Sequence, residues 1–282
     1  MALKILVTGS KGFVGRKLIE RLEQVGHDVY RLNRQPGGQD KDIIYHGHES
    51  LPSNLPNFDI VIHLAAKVEF SGEFNPQVYF DNTILTLRIV KYCFKNNAYL
   101  IFASTIGIHG NSKQISESSP MLPQNPYAVS KYLSEQIIQE FLSQGTILRI
   151  CGIYGLDGPS HLSLNSSITE AFYHQKSPTL IGSGESKRNY ISVSDVSKWI
   201  LHIVDSYNSR SLVDFNRGIQ ILYLAGPETM TIKQYLQEII LNLLPGKCML
   251  KKVGPDGTDC IVQGSEPSFP LTSFRDYLRS LK

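Results

Sequence analysis

A chain of 282 residues, 41% hydrophobic and 19% charged, is long enough for one large domain or two unequal ones around a sizeable core. Its net charge of +3, without a run of lysines or arginines, excludes an electrostatic case for nucleic acid as partner. There is no apolar stretch of about 18 residues, no signal-peptide pattern and no metal-ligand spacing among Cys93, Cys151, Cys248 and Cys260, so a soluble cytoplasmic enzyme without membrane or metal is expected.

Short apolar runs alternate with longer amphipathic segments through the first half. Leu3–Val7 reads as a strand, followed by a glycine turn and a helix from about Gly12 to Val25 that Gly26 and His27 close. Asp28–Leu32 and Asp59–Leu64 are the next strands, Asn82–Asn96 a long helix, and Tyr99–Ala103 a fourth strand. Asn125 can cap the helix that follows, Pro126 suits its first position, and Gly145 follows its end. Leu133, Ile137 and Phe141 recur every four residues and are expected to be its buried stripe, before a fifth strand at Thr146–Ile150. Cys93 and Cys151 sit in apolar stretches and read as buried thiols.

Strands this apolar, separated by helices, imply a parallel sheet covered on two sides. The fold class expected is therefore α/β: a doubly wound Rossmann-like domain over residues 1–155, with a smaller C-terminal substrate-binding region over 156–282, parts of which can pack back on the first. The second half is looser. Residues 156–190 are rich in Gly, Ser and Pro around a helix near Ser166–Gln175. Helices near Ser194–Asp205, from Thr231 and from Ser273, with a strand at Ile221–Leu224, complete the chain.

Thr8–Gly15 reads TGSKGFVG between the first strand and the first helix. Gly9 permits a tight turn, Gly12 lets the backbone approach a pyrophosphate, and Gly15 lets helix and sheet pack closely. Gly9, Lys11, Gly12, Phe13 and Val14 are the cofactor-binding candidates here, because unpaired amides and the helix dipole attract an anion. At the end of the second strand stand Asn33 and Arg34, with no acid before Asp40. An NAD enzyme usually places an acid there, whereas a guanidinium suits a 2′-phosphate, so Arg34 points to NADP(H), with NAD as the alternative. The alternative for Arg34 is a solvated loop residue, or one that stacks on adenine without contacting phosphate.

Tyr127 and Lys131 are four residues apart and share a helix face. A cation beside the phenol favours the phenolate and lowers its pKa towards the range of a general acid/base.

With these pieces assembled, the chain resembles the extended short-chain dehydrogenase/reductase family, also called the NAD-dependent epimerase/dehydratase family. TGSKGFVG at 8–15 is similar to its glycine motif, His63-Leu64-Ala65-Ala66 to its HLAA strand end, and Ser104–Gly110 to its SSxxVYG segment. Tyr127–Lys131 matches its YxxxK, Leu148-Arg149 through Tyr154-Gly155 its LRxxxxYG, and Gly182–Val196 resembles GxGxxxRDFIHVDDV. The resemblance implies that Thr105 hydrogen-bonds the substrate oxygen, with Ser104 beside it at the substrate. It makes Tyr127 the acid/base, while Lys131 holds the nicotinamide ribose and depresses the phenol pKa. Leu64, Ala65 and Ala66 would line the cofactor, and Arg188 would clamp a substrate diphosphate.

The sequence departs from the family at four places. Gly152 stands where many epimerases have a substrate-binding Asn, His109 replaces the motif Tyr, and His48 stands near the usual adenine-binding Asp. The segment after Thr105 lacks the Asp-Glu pair of 4,6-dehydratases, which argues against dehydration. The leading expectation is an NADP(H)-dependent reductase of a nucleotide-linked 4-keto-sugar, with an NAD-retaining nucleotide-sugar epimerase as the alternative. A reductase of a small non-nucleotide ketone and a non-catalytic NADP-binding sensor or scaffold are further readings. The resemblance also implies a homodimer through the helices near 82–96 and 126–143.

Overall fold

The computed structural model describes residues 1–35, 38, 40–47, 50–68, 76–209 and 218–282; His48, noted above, lies outside the described residues. In chain order the first elements are strand β1 (Lys4–Thr8), helix α1 (Phe13–Gln24), β2 (Asp28–Asn33), β3 (Asp42–Ile44), β4 (Ile60–His63), α2 (Pro76–Asn96), β5 (Tyr99–Thr105) and α3 (Pro126–Phe141). After them come β6 (Gln144–Ile150), α4 (Ser163–His174), α5 (Val193–Ser209), β7 (Gly218–Leu224), α6 (Ile232–Leu243) and α7 (Phe274–Arg279). Two compact units interleave along the chain rather than dividing at residue 155. Residues 1–110, 121–149 and 197–222 make the first, and 111–120, 150–196 and 223–282 the second.

The first unit holds a seven-stranded sheet in the order β7-β6-β5-β4-β1-β2-β3. β1 runs parallel to β2 and β4, β2 to β3, and β4 to β5. The chain winds outward from β1 to β3, then restarts at β4 on the other side, which is the doubly wound arrangement expected from the sequence. Ile5, Leu6, Val7, Ile60, Val61 and Ile62 are fully buried, as strands covered on both faces require. Leu6, Val61, Leu100 and Phe102 of the strands pack with Ile89, Val90 and Cys93 of α2 and Ile138 of α3 in one core cluster. Cys93 and Cys151 are buried free thiols, as read from their apolar neighbours.

Four local expectations are corrected. β3 lies between the second and third strands read from the sequence; a three-residue edge strand is too short to show a period. α2 starts at Pro76, six residues earlier than expected. α3 is capped as expected, with the Asn125 side chain accepting from the Ala128 amide at 2.8 Å and Pro126 in its first turn. Its buried face, however, is Ala128, Ser130, Lys131, Ser134, Glu135 and Ile138, while Leu133 and Phe141 are exposed. Gly145 does not stop this helix but lies within β6, where a Cβ would come 2.8 Å from the Leu100 carbonyl oxygen.

The second unit is assembled from two-stranded pairs and three helices. Ile153–Tyr154 runs parallel to Ile191–Ser192, Thr179–Ile181 to Leu250–Lys252, and Gln114–Ile115 to Ile261–Val262, while Lys187–Arg188 is antiparallel to Met230–Thr231. Its core centres on Phe274, which Tyr154 and Tyr235 meet edge-on at 5.0 and 4.9 Å between ring centroids. Thr231 and Gln234 form a reciprocal capping box on α6, and Ser273 caps α7.

Candidate active site

The ends of β1 and β4 flank the point where the strand order reverses, where ligands of doubly wound sheets sit. A cleft of about 510 Å³ opens there. Seven of the cofactor candidates, Gly9, Lys11, Gly12, Arg34, Leu64, Ala65 and Ala66, line it; Phe13 and Val14 stand half-buried in the first turn of α1 outside the lining. Gly9 has φ +72°, and a Cβ there would lie 2.7 Å from the Ala65 amide nitrogen. A Cβ at Gly15 would sit 2.2 Å from the Gly9 carbonyl oxygen, so only glycine lets α1 start against the turn. The bare backbone, the open start of α1 and the apolar wall fit a dinucleotide. At the β2 end Asn33 is buried, accepting from the Ser10 hydroxyl at 2.9 Å and donating to Asp42 at 3.2 Å. Arg34 is exposed on the cleft, and among the described residues its lining carries Lys11, Arg34 and Lys67 against one acid, Asp81.

The reacting groups expected from the sequence belong to the same unit. Thr105 ends β5 and caps a short 3-10 turn, Ile106–His109, its Oγ1 accepting from the Gly107 amide at 3.1 Å. That turn packs on the start of α3: a Cβ at Gly107 would lie 3.3 Å from Thr105 Oγ1 and 3.7 Å from the Ala128 Cβ, next to Tyr127. The turn ends at His109, which is buried. Lys131 shares the face of Tyr127, its Nζ 5.9 Å from the phenol ring centroid and 4.5 Å from that of Phe102, and donates to the Ala103 carbonyl at 2.7 Å.

The pKa expectation for this pair is corrected. Burial dominates both groups, pushing the Tyr127 phenol up to about 12 and the Lys131 ammonium down to about 7, the latter opposed by the charge of Glu135. Ser104 is corrected as well. Successive strand residues face opposite ways, and Ser104 is buried with its hydroxyl donating to Glu135 rather than turned to a substrate.

Two buried polar networks support these groups, and the sequence did not single out Glu135, Asn82, Thr86 or Ser130 among their members. In one, Glu135 accepts from Ser104 and from Arg149, whose Nη2 lies 2.8 Å from Oε2. In the other, Thr8 Oγ1 meets His63 Nδ1 at 2.7 Å and His63 Nε2 meets Thr86 Oγ1 at 3.1 Å. Asn82 holds both backbone groups of Lys67, at 2.7 and 3.0 Å, and donates to Ser130 Oγ at 2.9 Å; Ser130 in turn donates to the Tyr127 carbonyl at 2.7 Å. A hydrogen-bonded path thus runs from the cleft wall to the backbone of Tyr127. The signal for Glu135 was its four-residue spacing from Lys131; that for Asn82 was an amide inside a helix packed on the sheet.

Arg188 belongs to the second unit, half-buried in a strand pair beside Tyr190 and Cys260. Burial pushes that phenol and that thiol up, and the Arg188 charge opposes it. Gly152 has a packing reason: a Cβ there would lie 2.4 Å from the Tyr190 ring, so that ring fills the space an Asn would need. Among the described residues no group of His, Cys, Asp or Glu could hold a metal ion, and no helix is long and apolar enough to cross a membrane.

A doubly wound sheet with a glycine turn at its switch point and a Thr, Tyr and Lys set defines an NAD(P)-dependent short-chain dehydrogenase/reductase. The chain matches the NAD dependent epimerase/dehydratase family over residues 5–218 and belongs to that family. It is 29% identical to the GDP-6-deoxy-D-talose 4-dehydrogenase of Aggregatibacter actinomycetemcomitans over 249 residues, 85% of this chain and 81% of that one. Its fold is similar to that of UDP-N-acetylglucosamine 4-epimerase from Bacillus cereus, with a TM-score of 0.83 and 22% identity over 99% of this chain and 98% of that one. It is also similar to that of UDP-glucuronic acid 4-epimerase from Bacillus cereus in complex with NAD, with a TM-score of 0.80 and 20% identity over 99% and 95%.

Proposed function

We propose that this enzyme is a nucleotide-sugar 4-epimerase that inverts a secondary alcohol of the sugar by way of a ketone and retains its nicotinamide cofactor. The observation that carries the reading is the hydrogen-bonded path through Asn82 and Ser130, which fixes the backbone of Tyr127 relative to the wall of the dinucleotide cleft. Bound NAD would accept the hydride and return it. Tyr127 takes the alcohol proton in the oxidising step and gives it back to the forming alkoxide. Thr105 donates to that oxygen, and Lys131 in its charged form opposes the burial that holds the phenol pKa up. Arg188 is proposed as the group that grips the substrate diphosphate, a task suited to its fork of donors. The likeness to two 4-epimerases supports inversion over net reduction.

A second reading, an NADP(H)-dependent 4-keto-sugar reductase, is favoured by the β2 end. There the acid expected for NAD is replaced by Asn33, and Arg34 and Lys11 face the cleft. Incubation with UDP- and GDP-linked hexoses and NAD, followed by NMR of the sugar C4 configuration, is expected to show inversion without net change at the reduced-nicotinamide absorbance band. Oxidation of NADPH by a nucleotide 4-keto-sugar without inversion would replace the first reading with the second. Tyr127→Phe is expected to lower turnover by about 10²–10⁴-fold with dinucleotide affinity preserved. Turnover within a few-fold of wild type would remove Tyr127 from its role.

A further inference from the structure

Three buried ionisable groups lie together beneath the reacting face of α3. Lys131 is almost completely buried, and one turn further on Glu135 is fully buried, with Arg149 of β6 against it. The Glu135 carboxylate is fully engaged: Oε1 accepts from Ser104 Oγ and, at 3.3 Å, from Arg149 Nε, and Oε2 accepts from Arg149 Nε at 3.2 Å and Nη2 at 2.8 Å. A further Arg149 contact, Nη2 to Met121 Sδ at 3.5 Å, brings no charge. Burying ions this deeply is costly, and a pair of uncharged residues would hold β6 against α3 without that cost. A charged pair here calls for a reason beyond packing.

We propose that Glu135 is a positioning residue of this site, whose buried carboxylate keeps Lys131 charged beside Tyr127 while its bond to Ser104 ties the strand end bearing Thr105 to the same helix. Among the described residues, groups from several elements face Lys131. From its own helix come Tyr127 and Glu135, and from β5 the Phe102 ring and the Ala103 carbonyl. From β4 comes His63, which is neutral above about pH 3, and from β6 Arg149 lies behind Glu135. Among these described groups Glu135 is the anion, and its charge opposes the loss of the Lys131 proton. Without it two buried cations would share a low-dielectric pocket, and the lysine would surrender its proton first, since a guanidinium does not. Arg149 has the opposite effect. It draws off part of the Glu135 field, so removing it should strengthen the hold on Lys131.

The catalytic meaning rests on the acid/base role proposed for Tyr127 and Lys131, but the test needs neither substrate nor turnover. In protein isotope-labelled at lysine Cε, the Lys131 resonance is assigned by its loss in Lys131→Met. It is expected to titrate near neutral pH, far below solvated lysines. Glu135→Gln is expected to lower that midpoint by about one pH unit, tenfold in proton affinity, and Arg149→Met to raise it. Shifts of opposite sign are what a purely structural role cannot give. Glu135→Gln takes from Arg149 the carboxylate it is paired with and can fail to fold. The double variant Glu135→Gln/Arg149→Met has no orphaned charge, and its midpoint should fall below that of Arg149→Met by the effect of the carboxylate. Equal midpoints in those two proteins, or shifts of the same sign in both single variants, would overturn the proposal. An enzyme that shows these shifts yet turns over no nucleotide sugar would fail only the functional reading.

Discussion

Thr86 has one hydroxyl proton, and it goes to the Asn82 carbonyl at 2.8 Å. At its contact with His63 Nε2, Thr86 can then only accept, so the ring carries its proton on Nε2. On the other side Thr8 Oγ1 accepts from the Ala65 amide at 3.1 Å and gives its own proton to His63 Nδ1. The donors run one way from the loop after β4 to α2, and a second ring proton would break the Thr8 contact. Burial, with the charge of Lys131, pushes the His63 pKa down to about 3. The folded value lies below the unfolded 6.5, so the unfolded chain takes up the proton first on acidification. The stability difference is therefore fully present above about pH 6.5 and is lost by a few kcal/mol as pH falls towards 3. Ring-nitrogen NMR of labelled protein should show the Nε2–H form unchanged down to about pH 4, and His63→Gln should flatten the acid side of the melting-temperature profile. A ring titrating near its ordinary value would contradict this. The HLAA motif gave His63 away as a strand end; its burial and tautomer depend on Thr86, a contact across 23 residues that no local pattern encodes.

α3 shows at the scale of an element what a sequence can and cannot announce. Its start was legible because capping is local chemistry: Asn125 supplies an acceptor three residues before the amide it satisfies, and Pro126 tolerates a first turn without a donor. Asn125→Ala should cost about 1 kcal/mol and lower the melting temperature by about 2–4 °C, while Asn125→Asp should keep nearly all of it. Equal losses in the two variants would show that the cap adds nothing. The buried face was not legible. Ser130, Ser134 and Glu135 point inward because the Asn82 amide, the Thr86 hydroxyl and Arg149 meet them there. A hydrophobic-period search rejects such positions, since it assumes that what is buried is apolar. The strands and the glycine turn escaped this error because their signals, continuous apolar runs and a missing Cβ, are the same physical quantities that place them in the fold. The short strand pairs of the second unit went unread because two or three residues carry no period.

For the whole molecule, the misread stripe on α3 has a second meaning. Leu133 and Phe141, 41% and 53% exposed, stand on one face of that helix, and α2, which packs against it, exposes Phe80, Leu87 and Phe94 at 61%, 42% and 69%. The α2 residues recur every seven positions and form one stripe along the helix. Five large apolar side chains are thus exposed on two helices that pack against each other. A periodicity search cannot tell a stripe that faces a core from one that faces a second copy, and that ambiguity is why Leu133 and Phe141 read as interior. The helices are those through which the family resemblance implied a homodimer. A two-fold arrangement that sets each helix pair against its copy would cover the stripe on both chains at once. Covering it requires about 800 Å² from each partner, within reach of a 21-residue and a 16-residue helix side by side. Light scattering on the purified protein should therefore give twice the 31.6 kDa chain mass. Phe94→Glu places a charge on the most exposed side chain of the stripe and should shift the mass to that of one chain. Val253→Glu, at a 98% exposed residue of the second unit, should leave the dimer intact. A wild-type protein at single-chain mass, or loss of the dimer in both variants, would show that these side chains are covered by something other than a second copy.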